Sequence, residues 1–344
     1  MSENKMKVLV TGGCGYIGSH TLVDLIDNGY EVVSVDNLSN STEASLSGVE
    51  KITGVKVKNY RVDLTDLAAA RAVFQEHPDI EGIIHFAAYK SVGESVFNPL
   101  GYFHNNLNSL LNVLLCAEEY DAPYFIFSSS CSVYGNTDAL PVKENTPFQE
   151  AESPYARTKQ MGEQIIRDFA KKGSKVNSVI LRYFNPAGAH ETAQLGEAPS
   201  NIANNLVPVI TETAVGKRES MTVFGDDYDT RDGSCVRDYI HVMDLANAHV
   251  KSLEYLAAEK NETKADIFNV GIGEGVSVLE AINAFEKTAD KKLNYVIGDR
   301  RAGDVVAVYA DPHHSMNKLN WQPKRDIEEI MRTAWNWEKA RTAE

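Results

Sequence analysis

A tyrosine and a lysine four residues apart form the pair best suited to proton transfer in this sequence. Tyr155 and Lys159 follow Ser153 and Pro154, residues typical of a helix cap and first helical position. Both side chains therefore lie on one face of the helix. A phenol has a pKa of about 10, too high for a base at neutral pH. We expect a nearby ammonium, and any cationic group bound beside the phenol, to lower the pKa of Tyr155 and make it a general base.

Three serines, at positions 128–130, end an apolar run that is typical of a buried strand. Ligands of doubly wound sheets bind beyond the carboxyl ends of the strands. A serine hydroxyl at this point can hydrogen-bond the same substrate oxygen as Tyr155.

The glycine-rich segment 11–18, TGGCGYIG, lies between the first predicted strand and the first predicted helix. A pyrophosphate needs backbone N–H groups at a helix N-terminus with no Cβ in the way. Gly12, Gly15 and Gly18 can supply the tight turn, the close approach and the helix packing of a dinucleotide-binding loop.

Asp36 ends the second predicted strand, 18 residues after Gly18. A carboxylate here can accept both hydroxyls of an adenosine ribose and repel a 2′-phosphate, which favours NAD over NADP. Asp63 ends the third predicted strand and is expected to flank the adenine.

Short apolar runs alternate with helical periodicity through the first half of the chain. Near-continuous apolar character is typical of strands buried on both faces, as in parallel sheets. The predicted strands are 8–11, 31–35, 57–62, 82–86, 124–127 and 178–182, and a leucine stripe at 107–115 is predicted to be core helix. The alternation predicts an α/β fold with a Rossmann-like, doubly wound parallel sheet.

The pattern loosens after about residue 185. Polar, glycine-containing stretches at 189–201 and 225–234 are predicted to be loops over a site, and strand-like runs return at 267–270, 295–297 and 305–309. We expect a dinucleotide-binding domain over 1–183 and a smaller C-terminal substrate-binding lobe over 184–344, with an approximate boundary and lobes that can interleave.

The composition of the 344 residues excludes several classes of protein. No apolar run approaches the ~18 residues of a membrane helix. The net charge of −14 argues against nucleic-acid binding, which needs a basic surface. The four cysteines form no C-x-x-C pair, which favours reduced thiols in a cytoplasm, and no spacing of histidines and carboxylates predicts a metal site. Segment 1–5 leaves no room for the apolar core of a signal peptide.

An anionic ligand would be repelled by this chain unless positive charge were placed locally. Arg237 and Arg301 are the candidates, because a guanidinium can bind phosphate oxygens with two hydrogen bonds.

Seven motifs together resemble the extended short-chain dehydrogenases/reductases and, among them, the UDP-glucose 4-epimerase (UDP-galactose 4-epimerase) family. The resemblance covers nearly the whole chain. The motifs are VTGGCGYIGSH at 10–20, VDNL at 35–38, HFAAYKSVGES at 85–95, FIFSSS at 125–130, SPY at 153–155, LRYFNPAGAH at 181–190 and VRDYIHVMD at 236–244.

This resemblance implies the roles of individual residues. It implies Tyr155 as the catalytic base, Lys159 as its electrostatic partner and anchor of the nicotinamide ribose, and Ser130 as the second hydrogen-bonding group. The implied NAD contacts are Gly12, Gly15, Tyr16, Ile17, Gly18, Asp36, Asn37, Asn40, Ser41, Asp63, Leu64, Phe86, Ala87, Ala88, Lys90, Asn105, Tyr155, Lys159 and Phe184. The implied substrate contacts are Ser130, Tyr155, Asn185, Asn205, Thr222, Val223, Phe224, Arg237, Arg301 and Val308.

The function that the resemblance implies is reversible inversion at C4 of UDP-glucose and UDP-galactose through a 4-keto sugar, with tightly bound NAD. The resemblance also implies a homodimer. An epimerase that acts on a UDP-uronic acid or a UDP-pentose remains an alternative. A nucleotide-sugar 4,6-dehydratase is less favoured, because such relatives place an acidic pair where this chain has Ser129, Ser130 and Cys131. A catalytically idle NAD-binding scaffold is disfavoured because Tyr155 and Lys159 are both present.

The residue seven positions after Arg301 is implied to line the sugar's C2 side. It is Val308, where relatives with a narrow pocket carry a tyrosine, so UDP-N-acetylhexosamines are predicted as further substrates. A strand shifted by one residue would instead place Tyr309 there.

Overall fold

The computed structural model describes residues 6–199, 203–301 and 305–343. Its strands, in chain order, are β1 (Lys7–Thr11), β2 (Glu31–Val35), β3 (Asn59–Tyr60), β4 (Ile80–His85), β5 (Tyr124–Ser130), β6 (Asn177–Tyr183), β7 (Asn185–Ala187), β8 (Met221–Phe224), β9 (Val236–His241), β10 (Ala265–Val270), β11 (Gly275–Ser277), β12 (Tyr295–Gly298) and β13 (Ala307–Val308). Positions 200–201, the end of the first predicted loop, lie outside the described residues.

Helices cover both faces of the main sheet. In chain order they are α1 (Tyr16–Asp27), α2 (Ala44–Thr53), α3 (Leu67–Glu76), α4 (Val92–Phe97), α5 (Pro99–Glu119), α6 (Pro154–Lys171), α7 (Leu206–Ala214), α8 (Val242–Ala257), α9 (Val278–Ala289), α10 (His313–Leu319) and α11 (Ile327–Ala343). One core forms where α1, α2 and α8 pack on the sheet, and a second where α3, α5 and α6 pack on its other face.

The main sheet confirms the predicted Rossmann-like fold. Its order is β10-β6-β5-β4-β1-β2-β3, and every pair within it is parallel. The connections from β1 and β4 leave in opposite directions across the sheet. The loops that follow these neighbouring strands therefore border the crevice in which such folds bind their ligands.

The second lobe is built from two small sheets and the helices that pack on them. One sheet has β9 at its centre, paired with β7, β11 and β13, and the other pairs β8 with β12. Helices α7, α9 and α11 enclose a third apolar core against these strands. The lobes interleave, because α8 and β10 follow the predicted boundary in sequence yet join the first sheet.

Several sequence expectations differ from the structure in detail. The strand predicted at 57–62 is reduced to β3, because this edge strand pairs only with Ser34 and Val35 of β2. The strand predicted at 305–309 is likewise reduced to β13. The leucine stripe is only half core: Leu110 and Leu114 are buried, but Leu111 and Leu115 are exposed on the outer face of α5.

Candidate active site

The start of α6 has the local structure that the sequence predicts. The Ser153 hydroxyl accepts a hydrogen bond of 3.1 Å from the Ala156 amide, and Pro154 occupies the first turn, where its missing N–H has no partner to lose. This cap fixes where the helix begins. Tyr155 and Lys159 consequently point from the first two turns toward the carboxyl end of β5.

Lys159 is anchored on the strand that carries the serines. Its side chain is buried, and the Nζ donates to the Ser128 carbonyl oxygen over 2.6 Å. The Nζ lies 5.0 Å from the Phe127 ring centroid and 5.9 Å from that of Tyr155. Burial lowers the pKa of Lys159 to about 8, and the Glu163 carboxylate opposes that shift.

Ser130 is the last residue of β5, and its hydroxyl lies close enough to the Tyr155 phenol to lower the pKa of that group. Its hydroxyl also accepts from the Ser132 amide over 3.2 Å, which fixes the side chain at the turn after the strand. The structure thus brings Tyr155, Lys159 and Ser130 together.

The pKa of Tyr155 differs from the sequence-based expectation. Burial raises it well above the ordinary phenol value, and the nearby Tyr183 phenol raises it further, while the hydrogen bond with Ser130 lowers it. The expected lowering by Lys159 does not dominate, because burial has the largest effect on the pKa of this phenol. The protein on its own therefore holds Tyr155 as a neutral phenol.

The glycine-rich loop has the geometry of a pyrophosphate cradle. Gly12 has a φ of +70°, and a Cβ there would lie 3.0 Å from the Ala87 nitrogen. A Cβ on Gly18 would lie 2.2 Å from the Gly12 oxygen, so glycine is required for α1 to start this close to the loop. Gly15 is the N-cap and has no side chain to cover the first-turn amides of Tyr16 and Ile17. These residues fit a dinucleotide phosphate.

Asp36 is held in place beside this loop. Its carboxylate accepts hydrogen bonds from the Cys14 amide (3.1 Å), the Leu38 amide (2.9 Å) and the Ser41 hydroxyl (2.8 Å). These donors are uncharged, so the carboxylate keeps the negative charge that favours ribose hydroxyls over a 2′-phosphate. The fit to NAD therefore extends from the phosphates to the ribose.

The remaining predicted NAD contacts are placed mostly around the same crevice. The Ala87 amide donates to the Thr11 hydroxyl, and Asn112 donates to the Leu64 carbonyl, which ties both segments to the sheet. Asp63 and Asn37 accept hydrogen bonds within their own loops, and Asn105 donates to Asn106 within α5. Phe184 is buried directly after β6, and Phe86 packs on the His249 ring at 4.7 Å. Asn40 and Ala88 lie in the loops after β2 and β4.

Lys90 and Asn205, two of the predicted ligand-binding residues, both contact Glu197, a residue that the sequence reasoning missed. The Glu197 carboxylate accepts from Asn205 Nδ2 over 3.0 Å and lies 3.6 Å from Lys90 Nζ. The Glu197 carbonyl is held by the Trp337 indole over 2.8 Å. Nothing in the local pattern around Glu197 indicates this role, because Lys90 and Trp337 come from distant segments and Asn205 is eight residues away.

The predicted diphosphate and uracil contacts lie in the second lobe. Arg237 Nη1 donates to the carbonyl oxygens of Val236 and Val305, which positions its side chain between β9 and β13. The Arg301 guanidinium stacks over the Phe224 ring at 4.5 Å. Thr222 is partly exposed, but the Val223 side chain is buried, so only its backbone can face a base. Asn185 begins β7, which pairs with β9.

Asp238, next to Arg237, was not among the predicted site residues. Its buried carboxylate accepts from the amides of Ile272 (2.8 Å), Gly273 (3.0 Å) and Ala310 (3.1 Å). Burial raises the pKa of Asp238 to about 6, although the three amides lower it. It joins β9, the loop after β10 and the segment after β13, and so holds the backbone around Arg237.

Val308 points into the protein, in an apolar cluster with Val133, Tyr134 and Phe184. Tyr309 lies on the other side of the strand, where a Cβ on Gly275 would be 3.2 Å from its ring. The strand is therefore not shifted by one residue. The cluster adjoins Cys131, which follows Ser130 directly.

The described part of the chain contains no group of three or more histidine, cysteine, aspartate or glutamate residues arranged to hold a metal ion. Among the same residues, no helix has both the length and the apolar character needed to cross a membrane.

Known proteins resemble this chain over almost its full length. The family model described as GDP-mannose 4,6 dehydratase matches residues 9–334. A UDP-glucose 4-epimerase of Bacillus subtilis (strain 168) is 48% identical over 335 residues, which cover 97% of each chain.

Two solved structures share the fold. The UDP-glucose 4-epimerase of Stenotrophomonas maltophila, with bound NAD and formylated UDP-arabinopyranose, aligns with a TM-score of 0.95 and 41% identity over 98% of this chain and 99% of that one. The enzyme from Bifidobacterium longum, in complex with NAD⁺ and UDP, aligns with a TM-score of 0.93 and 43% identity over the same shares.

Proposed function

The chain belongs to the UDP-glucose 4-epimerase family of extended short-chain dehydrogenases/reductases, and we propose that Tyr155, Lys159 and Ser130 carry its reaction, the reversible inversion at C4 of a UDP-hexose. The observation that carries this assignment is the meeting of these three side chains at the end of β5, beside a loop that fits NAD.

The NAD site is proposed to run from the glycine-rich loop to Lys159. The first-turn amides of α1 hold the phosphates, Asp36 holds the adenosine ribose, and Lys159 holds the nicotinamide ribose. When bound, NAD supplies the hydride acceptor and donor at C4, and in its oxidised form it adds positive charge near the phenol. The Tyr16 hydroxyl, which donates to the Gly188 carbonyl over 2.6 Å, ties this site to the second lobe.

Tyr155 is the group that moves the proton. Its phenolate oxygen accepts the proton of the sugar's 4-hydroxyl and returns it when the inverted hydroxyl forms. Ser130 donates to the same substrate oxygen and fixes it within reach of the phenol. Because Tyr155 is neutral in the protein alone even with Lys159 beside it, the positive charges of Lys159 and of bound oxidised NAD are proposed to make the phenolate accessible together.

The diphosphate and uracil are proposed to bind in the second lobe. Arg237 and Arg301 neutralise the phosphates, and Asn185 and Asn205 add polar contacts. Phe224, with the backbone of Thr222 and Val223, lines the base. Asn205, and Lys90 on the NAD side, each keep further hydrogen-bonding capacity for the ligands while they contact the Glu197 carboxylate.

The small side chain of Val308, at the position where relatives with a narrow pocket carry a tyrosine, supports a sugar pocket wide enough for an N-acetyl group. A dehydratase is not favoured, because the turn after β5 begins with Cys131 and Ser132, which carry no carboxylate for removal of the C5 proton. Burial raises the pKa of the Cys131 thiol to about 12, so it stays protonated.

Product analysis tests the proposal. The purified protein is incubated with UDP-galactose and no added NAD, and the nucleotide sugars are separated by chromatography. We expect UDP-glucose, and denaturing extraction should recover NAD rather than NADP from the protein. A 4-keto-6-deoxy product, or a stoichiometric release of NADH, would overturn it.

A homodimer is proposed from an exposed apolar face. Phe97 is 90% exposed and Leu100 is 80% exposed, and Leu111 and Leu115 follow on the same side of α5. Leu100 and Leu111 are 11 residues apart, about three helical turns, so they share one face. A second copy is proposed to cover this face, because two-fold dimers are the commonest oligomers and bury the same patch of both subunits.

Light scattering during size-exclusion chromatography tests the dimer. Leu111→Arg places a charge in the proposed interface and should give a monomer. Val55→Arg, at an exposed valine outside the proposed interface, is the matched control and should have the same mass in solution as the parent. A monomeric parent would overturn the proposal.

The four free cysteines support a cytoplasmic location, which cell fractionation can test.

A further inference from the structure

A buried ion pair lies directly behind the candidate catalytic residues. Arg182 on β6 forks onto Glu163 on α6, with Nε to Oε1 at 2.9 Å and Nη2 to Oε2 at 2.6 Å. Both side chains are 1% exposed. Because removing two charges from water is costly, such a pair is weak evidence for a stabilising role. Its position suggests another purpose.

The three serines of β5 contact three successive turns of α6. Tyr155, Lys159 and Glu163 are spaced by four residues and share one helix face. Ser130 lies beside Tyr155 and lowers its pKa, the Ser128 carbonyl accepts from Lys159, and the Ser129 hydroxyl donates to Glu163 over 2.6 Å. Glu163 therefore extends the catalytic face by one turn.

The clamp on Glu163 is rigid on both sides. Ser129 lies opposite Arg182 in the β5–β6 register, so two neighbouring strands hold the same carboxylate. The remaining Arg182 nitrogen, Nη1, donates to the Tyr134 hydroxyl and to the Glu144 carbonyl, each over 3.0 Å. The position of Glu163 is thus determined by the sheet and not by the helix alone.

Glu163 supplies a negative charge in the surroundings of Lys159, and the Arg182 guanidinium that pairs with it is the neighbouring positive charge on β6. From β4, the buried His85 faces the ammonium, and burial keeps that imidazole neutral by lowering its pKa to about 3. From α6, Tyr155 lies beside it, and from β6 the Tyr183 phenol contacts the Ser128 hydroxyl. The Glu163 carboxylate raises the pKa of Lys159 against the effect of burial.

We propose that Glu163, clamped by Arg182 and Ser129, is a positioning residue that holds α6 in register with Ser128–Ser130 and balances the charge of the Lys159 ammonium. The proposal rests on the roles of Tyr155 and Lys159 given above. Neither Glu163 nor Arg182 touches the substrate in this scheme; both act through Lys159.

The test is a titration of Lys159 itself. NAD-loaded protein is labelled with [6-¹³C]lysine, and the Lys159 resonance is assigned by its loss in Lys159→Met. Removing one partner of a buried pair leaves the other charge unpaired, so Glu163→Gln alone can unfold the protein. The double variant E163Q/R182M removes both charges, and the glutamine oxygen can still accept from Ser129.

We expect the titration midpoint of Lys159 to fall by about one pH unit in the double variant, and the alkaline limb of the kcat profile to fall with it. Glu338→Gln is the matched control: Glu338 is equally buried on α11 and pairs with Lys217 and Arg341, so its loss should move neither quantity. An unchanged midpoint in the double variant would overturn the proposal. A midpoint that falls while the kcat profile stays fixed would also overturn it, and would leave Tyr155 as base untouched.

Discussion

The site has a catalytic half at the end of β5 and a diphosphate-binding half in the second lobe, and the two differ in their exposure to solvent. Lys159 and Ser130 are buried at the end of β5, while Arg301 is exposed and stacks on the partly exposed ring of Phe224. Burial shifts the pKa values of Tyr155 and Lys159 in directions that oppose their ionised forms. The catalytic half thus depends on how charge is balanced inside the protein, whereas the arginines attract an anion at the surface. The first should govern kcat and the second KM.

A large loss of kcat is expected from substitution in the buried, catalytic half of the site. Lys159→Met removes the ammonium that favours the Tyr155 phenolate, and kcat should fall by roughly 10²- to 10⁴-fold, the range typical of lost acid–base catalysis. Steady-state kinetics with UDP-galactose measures this, and circular dichroism verifies the fold. A loss confined to KM would remove the distinction between the two halves.

A smaller effect is expected on the exposed side. Arg301→Ala should raise KM for the UDP-sugar by roughly 10- to 100-fold with little change in kcat, as expected when a hydrogen bond to a charged group is lost. Arg300→Ala is the neighbouring control, because Arg300 is engaged by Asp227 and the Tyr228 ring. Equal effects of the two substitutions would show that only the net charge of the segment matters.

A narrower sugar pocket should change the ratio of the rates on acetylated and non-acetylated sugars by about tenfold. Val308→Tyr inserts a ring into the cluster beside Phe184, and the rate on UDP-N-acetylgalactosamine relative to UDP-galactose should fall by roughly tenfold or more. Val306→Tyr, at an exposed position two residues away, should leave the ratio unchanged. If the parent does not turn over the acetylated sugar, Val308 is not the gate.

The smallest effect is expected in the dependence of kcat on pH. The Lys159 ammonium is present below its pKa of about 8 and lost above it, so kcat should fall on the alkaline side with a midpoint near 8. Arginine stays charged throughout this range, and Lys159→Arg should lack that limb in its residual activity. An identical alkaline limb in parent and Lys159→Arg would assign the titration to another group.

Local patterns made one part of the site predictable. Ser153 and Pro154 fix the start of α6, and with it the face shared by Tyr155 and Lys159. The glycine loop is equally local, because strand, turn and helix N-terminus are consecutive in sequence. The parallel, doubly wound character of the main sheet followed from the alternation of strands and helices, whereas the place of β10 at its edge did not.

The rest depended on tertiary packing. The direction of the Tyr155 pKa shift is set by burial, which no spacing of residues reveals. The contacts of Glu197 with Lys90 and Asn205 join distant segments, and the edge strands β3 and β13 are short because so few residues pair with their neighbours. Leu111 shows the same limit, since helical periodicity does not tell an inner face from an outer one.

The central claim is that Tyr155, and not another phenol at the site, is the base. Tyr183 offers the sharpest comparison, because its hydroxyl contacts the Ser128 hydroxyl at the same strand end. Tyr155→Phe and Tyr183→Phe each remove one hydroxyl and keep the ring, and both are assayed with UDP-galactose alongside calorimetric binding of UDP. We expect Tyr155→Phe to lose at least about 10²-fold in kcat with UDP binding intact, and Tyr183→Phe to keep most of its activity. Substantial turnover by Tyr155→Phe, together with loss of activity in Tyr183→Phe, would contradict the assignment.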